Sequence, residues 1–118
     1  MQQDDKLFDL AFLTKFTKGD AAKIGQYIST YLRTSERIFQ ELAEAHNSGN
    51  ADDVYVKAHT VKPQVQYMGI QSLQEAIIKI EEVAKSNPGS PELSELVEGA
   101  LDIYKRSKEE LQFHLKTL

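Results

Sequence analysis

Cysteine is absent from these 118 residues, which excludes disulfides and thiolate metal sites and fits a reducing compartment, so a cytoplasmic location is expected. Long apolar runs are missing too, and no segment is expected to span or anchor in a membrane. The opening MQQDDKLFDL is acidic and polar, unlike a signal peptide. Basic charge is scarce: 14 Lys and Arg against 18 Asp and Glu leave a net charge of −4. An acidic chain without a basic stripe holds polyanions poorly, so nucleic acid is not an expected partner. There is no repeat and no low-complexity linker. The histidines, His46, His59 and His114, show neither H-E-x-x-H nor the E-x-x-H pair of di-iron bundles. No metal or cofactor is expected.

What the chain does have is apolar residues at helical spacing, separated by short breaker clusters. Apolar residues make up 41% and charged residues 27%, an ordinary mixture for one domain over 1–118. The spacing predicts helices over 9–16, 21–46, 51–68, 70–85 and 91–117. Leu10, Leu13 and Phe16 would share one apolar side of the first, and Asp20 would cap the second. Ile24, Ile28, Leu32, Phe39 and Leu42 face inward on the second helix, and Leu73, Ile77, Ile80 and Ala84 on the fourth. Ser90 caps the last helix with Pro91 at its first position, where a missing N–H costs nothing. Its apolar face runs from Leu93 through Leu96, Val97, Ala100, Tyr104 and Leu111 to Leu118. Short connections between long helices imply antiparallel neighbours. The expected fold is all-α, an up-and-down four-helix bundle with a short additional N-terminal helix.

The third helix holds the stretch AHTVKPQVQYMGI. At about 100° per residue, Val54, Ala58, Val61, Val65 and Met68 cluster on its core face. His59 falls about 140° from the centre of that face and points to solvent. Tyr55, Lys62, Pro63 and Gln66 share the outward side, with Asp52 earlier on the stripe. Gln64 lies nearer the other side. Periodicity alone leaves two readings of His59 open, a functional group or an ordinary surface histidine. His46 at a helix end suits the macrodipole, and His114 is a boundary residue. Pro63 removes the N–H that would bond to the carbonyl of His59, which predicts a small outward bend there. An interior proline costs about 3 kcal/mol relative to alanine in a plain helix.

AHTVKPQVQYMG resembles the signature of histidine-containing phosphotransfer (HPt) domains: a histidine, an aliphatic residue two later, a lysine three later and a glycine ten later. Here those are His59, Val61, Lys62 and Gly69. The likeness extends upstream through FDLAFLTKFTKGDAAKIGQYISTYL and downstream through IQSLQEAIIKIEEVA. The resemblance implies a phosphoryl carrier of a two-component phosphorelay, taking the group from an aspartyl phosphate on one receiver domain and passing it to another. It implies His59 as phosphoacceptor and Lys62 as the cation beside the phosphoryl group, with Mg²⁺ on the partner receiver. Such a carrier is not an enzyme, and the chain has no P-loop or kinase glycine box.

The chemistry of these residue types agrees. Free imidazole titrates near about 6.5, so its neutral nitrogen is a competent nucleophile at neutral pH. An ammonium one turn away offsets phosphoryl charge. The second ring nitrogen needs an acceptor to fix its tautomer. Twenty-two residues after His59, where some family members carry glutamine, stands Glu81, at the edge of the fourth helix's apolar face. It is assigned that orienting role, against the alternative of a solvated surface glutamate. The family's commonest pattern has glycine after the lysine, whereas here Pro63 offers a compact apolar plate. Docking is expected on Tyr55, His59, Pro63 and Gln66, by a monomer. The alternative function is a helical-bundle adaptor that binds a receiver or other signalling protein without carrying phosphate. A kinase dimerisation domain fits less well, because it usually follows its histidine with an acidic residue and His59 is followed by Thr60.

Overall fold

The computed structural model describes residues 6–118 of the chain. They form five helices: α1 (Ala11–Thr17), α2 (Ala21–Asn47), α3 (Ala51–Tyr67), α4 (Gln71–Ser86) and α5 (Pro91–Leu115). The last four build an antiparallel bundle in which each packs on the next and α5 returns against α2. The short α1 lies against α2. Among the described residues there is no strand, and no helix is long and apolar enough to cross a membrane.

Local chemistry explains most of the boundaries. Asp20 accepts from the Lys23 N–H, Asn50 from that of Asp53 and Ser90 from that of Glu92, each satisfying a donor the helix leaves free. The first helix begins at Ala11 rather than residue 9, because the Asp9 side chain is occupied in accepting from the Ala11 N–H. The third ends at Tyr67 and the fifth at Leu115, each slightly short of the periodic pattern. Two apolar-face assignments are corrected. Phe16 and Leu118 are exposed, each meeting α2 only in part, Phe16 at Tyr27 and Leu118 beside Gly25. Thr17 is buried in α1 instead, its hydroxyl donating to the Leu13 carbonyl.

The core is aliphatic, with Ile28, Leu42, Val54, Val61, Val65, Leu73, Ile77, Ile80 and Leu111 fully enclosed. Phe39 stacks on Tyr104 at 4.3 Å between centroids. Tyr104 OH and Ser35 Oγ share a hydrogen bond of 2.9 Å. Tyr31 is buried nearby, its hydroxyl beside Ser35 but without a hydrogen bond of full geometry. Burial pushes both phenols above the ordinary tyrosine value of 10.0. A raised folded-state pKa stabilises fully below the unfolded value and loses that contribution as pH rises past it, so the fold should weaken above pH 10. A Tyr31→Phe variant should be no less stable at pH 7, having shed an unsatisfied hydroxyl, and should lose less stability at alkaline pH. Denaturant titrations of both proteins at neutral and alkaline pH would check this; a destabilised variant at pH 7 would mean the hydroxyl has a partner.

Candidate functional site

Burial of Val54, Ala58, Val61 and Val65 fixes the rotation of α3. His59 is thereby turned outward, with its side chain 62% exposed. The helix runs through Pro63 without a break. Pro63 offers no N–H to the His59 carbonyl, and His59 being exposed, water can take the donor's place.

Glu81 arrives from α4 and is buried, 8% exposed, beside Ile77, Ile80 and Ala84. An ionised carboxylate removed from water is costly unless paired, and this one is paired through both oxygens. Its Oε2 lies 2.8 Å from His59 Nδ1 and its Oε1 accepts from Lys62 Nζ at 2.8 Å. Glu81 is therefore not a solvated surface glutamate but a buried carboxylate in contact with both side chains. An ionised carboxylate only accepts, so Nδ1 carries the ring proton and the neutral ring keeps its lone pair on Nε2. Among the described residues no hydrogen bond to Nε2 is present, and the side chain as a whole is largely exposed.

Lys62 stands where its i,i+3 spacing puts it, next to His59 and about one-third exposed. One of its ammonium protons is committed to Glu81, and the others remain for an incoming anion. Tyr55 was expected on the outward side and is instead half-buried, packed against the edge of the core. Its ring stacks on that of His59 at 5.8 Å and 10°, and Lys85 Nζ lies 5.1 Å from its centroid. It serves as a wall for the imidazole. Pro63 and Gln66 are exposed as expected. Gln64 turns the other way and accepts from Thr34 Oγ1 of α2 at 3.0 Å.

His46 and His114 lie apart from this site. His46 Nε2 is 3.2 Å from Ser94 Oγ, and His114 meets the Phe8 ring edge-on at 5.5 Å. Among the described residues no three His, Asp or Glu gather as a metal site would.

Sequence reasoning missed a row of exposed aromatics beside the site. Tyr67 stacks on Phe12 at 5.6 Å, Phe12 on Phe16 at 6.1 Å, and Phe16 meets Tyr27 at 5.7 Å. With Tyr31, Thr34 and Gln64 they line an open apolar cavity of about 420 Å³. Apolar groups this exposed and contiguous mark an interaction surface more often than chance placement. The i,i+4 spacing of Phe12 and Phe16 was visible, but not which side of α1 they occupy.

A family profile described as "Hpt domain" matches residues 26–112. The structure of histidine-containing phosphotransfer protein B (HptB) from Pseudomonas aeruginosa PAO1 is similar, with a TM-score of 0.84, 18% sequence identity, and coverage of 97% of this chain and 98% of that one. At that identity the likeness establishes the fold. No curated protein sequence matches the chain.

Proposed function

This chain belongs to the Hpt domain family, and from that premise we propose that it carries a phosphoryl group on His59 Nε2 within a phosphorelay. The group comes from an aspartyl phosphate on one receiver domain and leaves to the aspartate of another. The observation that carries the reading is the exposed ring held by Nδ1 on a buried carboxylate, which leaves Nε2 free to attack. In-line attack on an acyl phosphate needs such a nucleophile, presented without a side chain in front of it. Lys62 adds an ammonium to offset the charge of the transferring group. No step requires the carrier to hold a nucleotide, and the Mg²⁺ of the transfer sits on the receiver.

Docking of the receiver is assigned to the exposed stripe of α3 and its extension. Val56, Pro63 and Gln66 surround His59, and Tyr67 continues the stripe into Phe12 and Phe16. Eight residues of helix separate His59 from Tyr67, about 12 Å, so one small domain covers both. A Phe12→Ala, Tyr67→Ala double variant is expected to weaken receiver binding about tenfold or more, as loss of buried aromatic anchors does. Labelling of His59 by phosphoramidate should be unchanged. Calorimetric titration with the receiver reads the first and phosphate label the second; full affinity would place docking elsewhere.

The function itself is tested with a receiver labelled on its aspartate, mixed with this protein and Mg²⁺. Acid-labile, base-stable label should appear on this chain. Tight binding without label would overturn the carrier and favour the adaptor.

A further inference from the structure

The carboxylate that orients the free ring also faces the loaded one. In the free carrier Nδ1 bears the proton and donates to Glu81 Oε2. When Nε2 attacks the acyl phosphate, its lone pair becomes the new N–P bond and the P–O electrons return to the receiver's carboxylate. The ring, still protonated on Nδ1, becomes a phosphoimidazolium cation. In the return step the N–P electrons go back to Nε2, the phosphoryl group passes to a carboxylate oxygen, and neutral imidazole departs. No proton moves in either direction provided that Nδ1 keeps its own. Were Nδ1 to lose it, the leaving group would be an imidazolide anion, and transfer would be slow.

We infer that Glu81 keeps the Nδ1 proton on the ring through both halves of the transfer, so that His59 holds its phosphoryl group in a labile, readily returned form. This inference rests on the carrier reading above. A neutral amide at position 81 would accept from Nδ1 and fix the same tautomer; only a carboxylate also stabilises the cationic ring. Charge-assisted bonds of this kind are about twice as strong as neutral ones. The low exposure of Glu81 keeps water from weakening it.

The surrounding groups leave the assignment to Glu81. From α3 the ring meets Tyr55, which is uncharged at neutral pH, and Lys62, whose ammonium is itself held by the same carboxylate. From α4, Lys85 is directed at the Tyr55 ring. On the α2 side, Lys57 is paired with Glu41 and Asp53. Glu81 is the anion in contact with the imidazole. It acts through His59 and is a positioning residue.

The test uses the whole chain labelled with phosphoramidate, a donor to histidine that needs no receiver. Label half-life is followed from pH 6 to 10 for the wild type and Glu81→Gln, with ¹⁵N spectra of the loaded ring. At neutral pH the variant should hold its label about fivefold longer, reflecting the weaker neutral hydrogen bond. Its lability should fade at lower pH than that of the wild type. The wild-type spectrum should show Nδ1 bearing hydrogen while Nε2 bears phosphorus, a readout that does not depend on how the variant folds. Equal half-lives, or a loaded wild-type ring without the Nδ1 hydrogen at pH 7, would overturn the inference. So would failure of His59 to accept label from phosphoramidate. Label from phosphoramidate but none from a phosphorylated receiver would sink the carrier reading alone, and the half-life comparison would still decide the role of Glu81.

Discussion

A His59→Gln variant is expected to take up no label from a phosphorylated receiver, while its helical content and its affinity for that receiver stay near those of the wild type. Glutamine matches the reach of imidazole to Glu81 and can donate its amide N–H to the same oxygen, but an amide nitrogen has no lone pair free for attack. The side chain being mostly exposed, little packing is lost, and the hydrogen bond to Glu81 is replaced rather than removed. Gel-resolved label and calorimetric titration would be read on the same samples. Residual label would move the phosphoacceptor to another histidine, where the geometry offers poor candidates. His46 Nε2 is engaged by Ser94, and the His114 ring packs edge-on against the buried Phe8. Loss of both label and binding would point instead to a collapsed surface.

The second large effect is on folding. Gly69 has φ of +64° in the turn between α3 and α4. A Cβ added there would overlap the Asp9 carbonyl oxygen and sit 2.8 Å from its carbon. Both obstacles are backbone, so the N-terminal segment would have to move. That segment is tied by the Asp9 N–H to the Met68 carbonyl and by the Leu7 N–H to Glu110 Oε1, and it buries Phe8. Gly69→Ala should therefore cost about 1–2 kcal/mol in left-handed strain and about 1–3 kcal/mol more in displaced contacts. Gly49→Ala supplies the control, because φ there is +73° and nothing lies within 4 Å of the added carbon. Urea denaturation of the two variants separates strain from overlap; equal losses would mean that the N-terminal segment yields freely.

Much of this arrangement could be read from the residues because its causes are local. Asp20, Asn50 and Ser90-Pro91 announce helix starts through bonds to their own neighbours. The rotation of α3 follows from its valines and alanine, which is why His59 and Pro63 fall where periodicity put them. Glu81 is different. Its place at the edge of an apolar face was legible, but its burial depends on α3 bringing two donors to it. Tyr55 shares the side of His59 as its angle implies, but it becomes half-buried once α4 packs alongside and Lys85 reaches across. The aromatic row was invisible because α1, α2 and α3 each supply part of it. Phe16 shares the apolar side of α1 with Leu13, and only the bundle shows that it meets Phe12 and Tyr27 at the surface rather than entering the core.

Every member of the His59 site stands on a helix interior, none on a connecting loop. Changing the separation of the two backbone positions that carry the imidazole and its carboxylate thus requires parting α3 from α4, whose packing belongs to the core of the bundle. A visiting domain would find its target already stiff and would give up little disorder of this chain on arrival. Amide exchange around the site should accordingly track global opening.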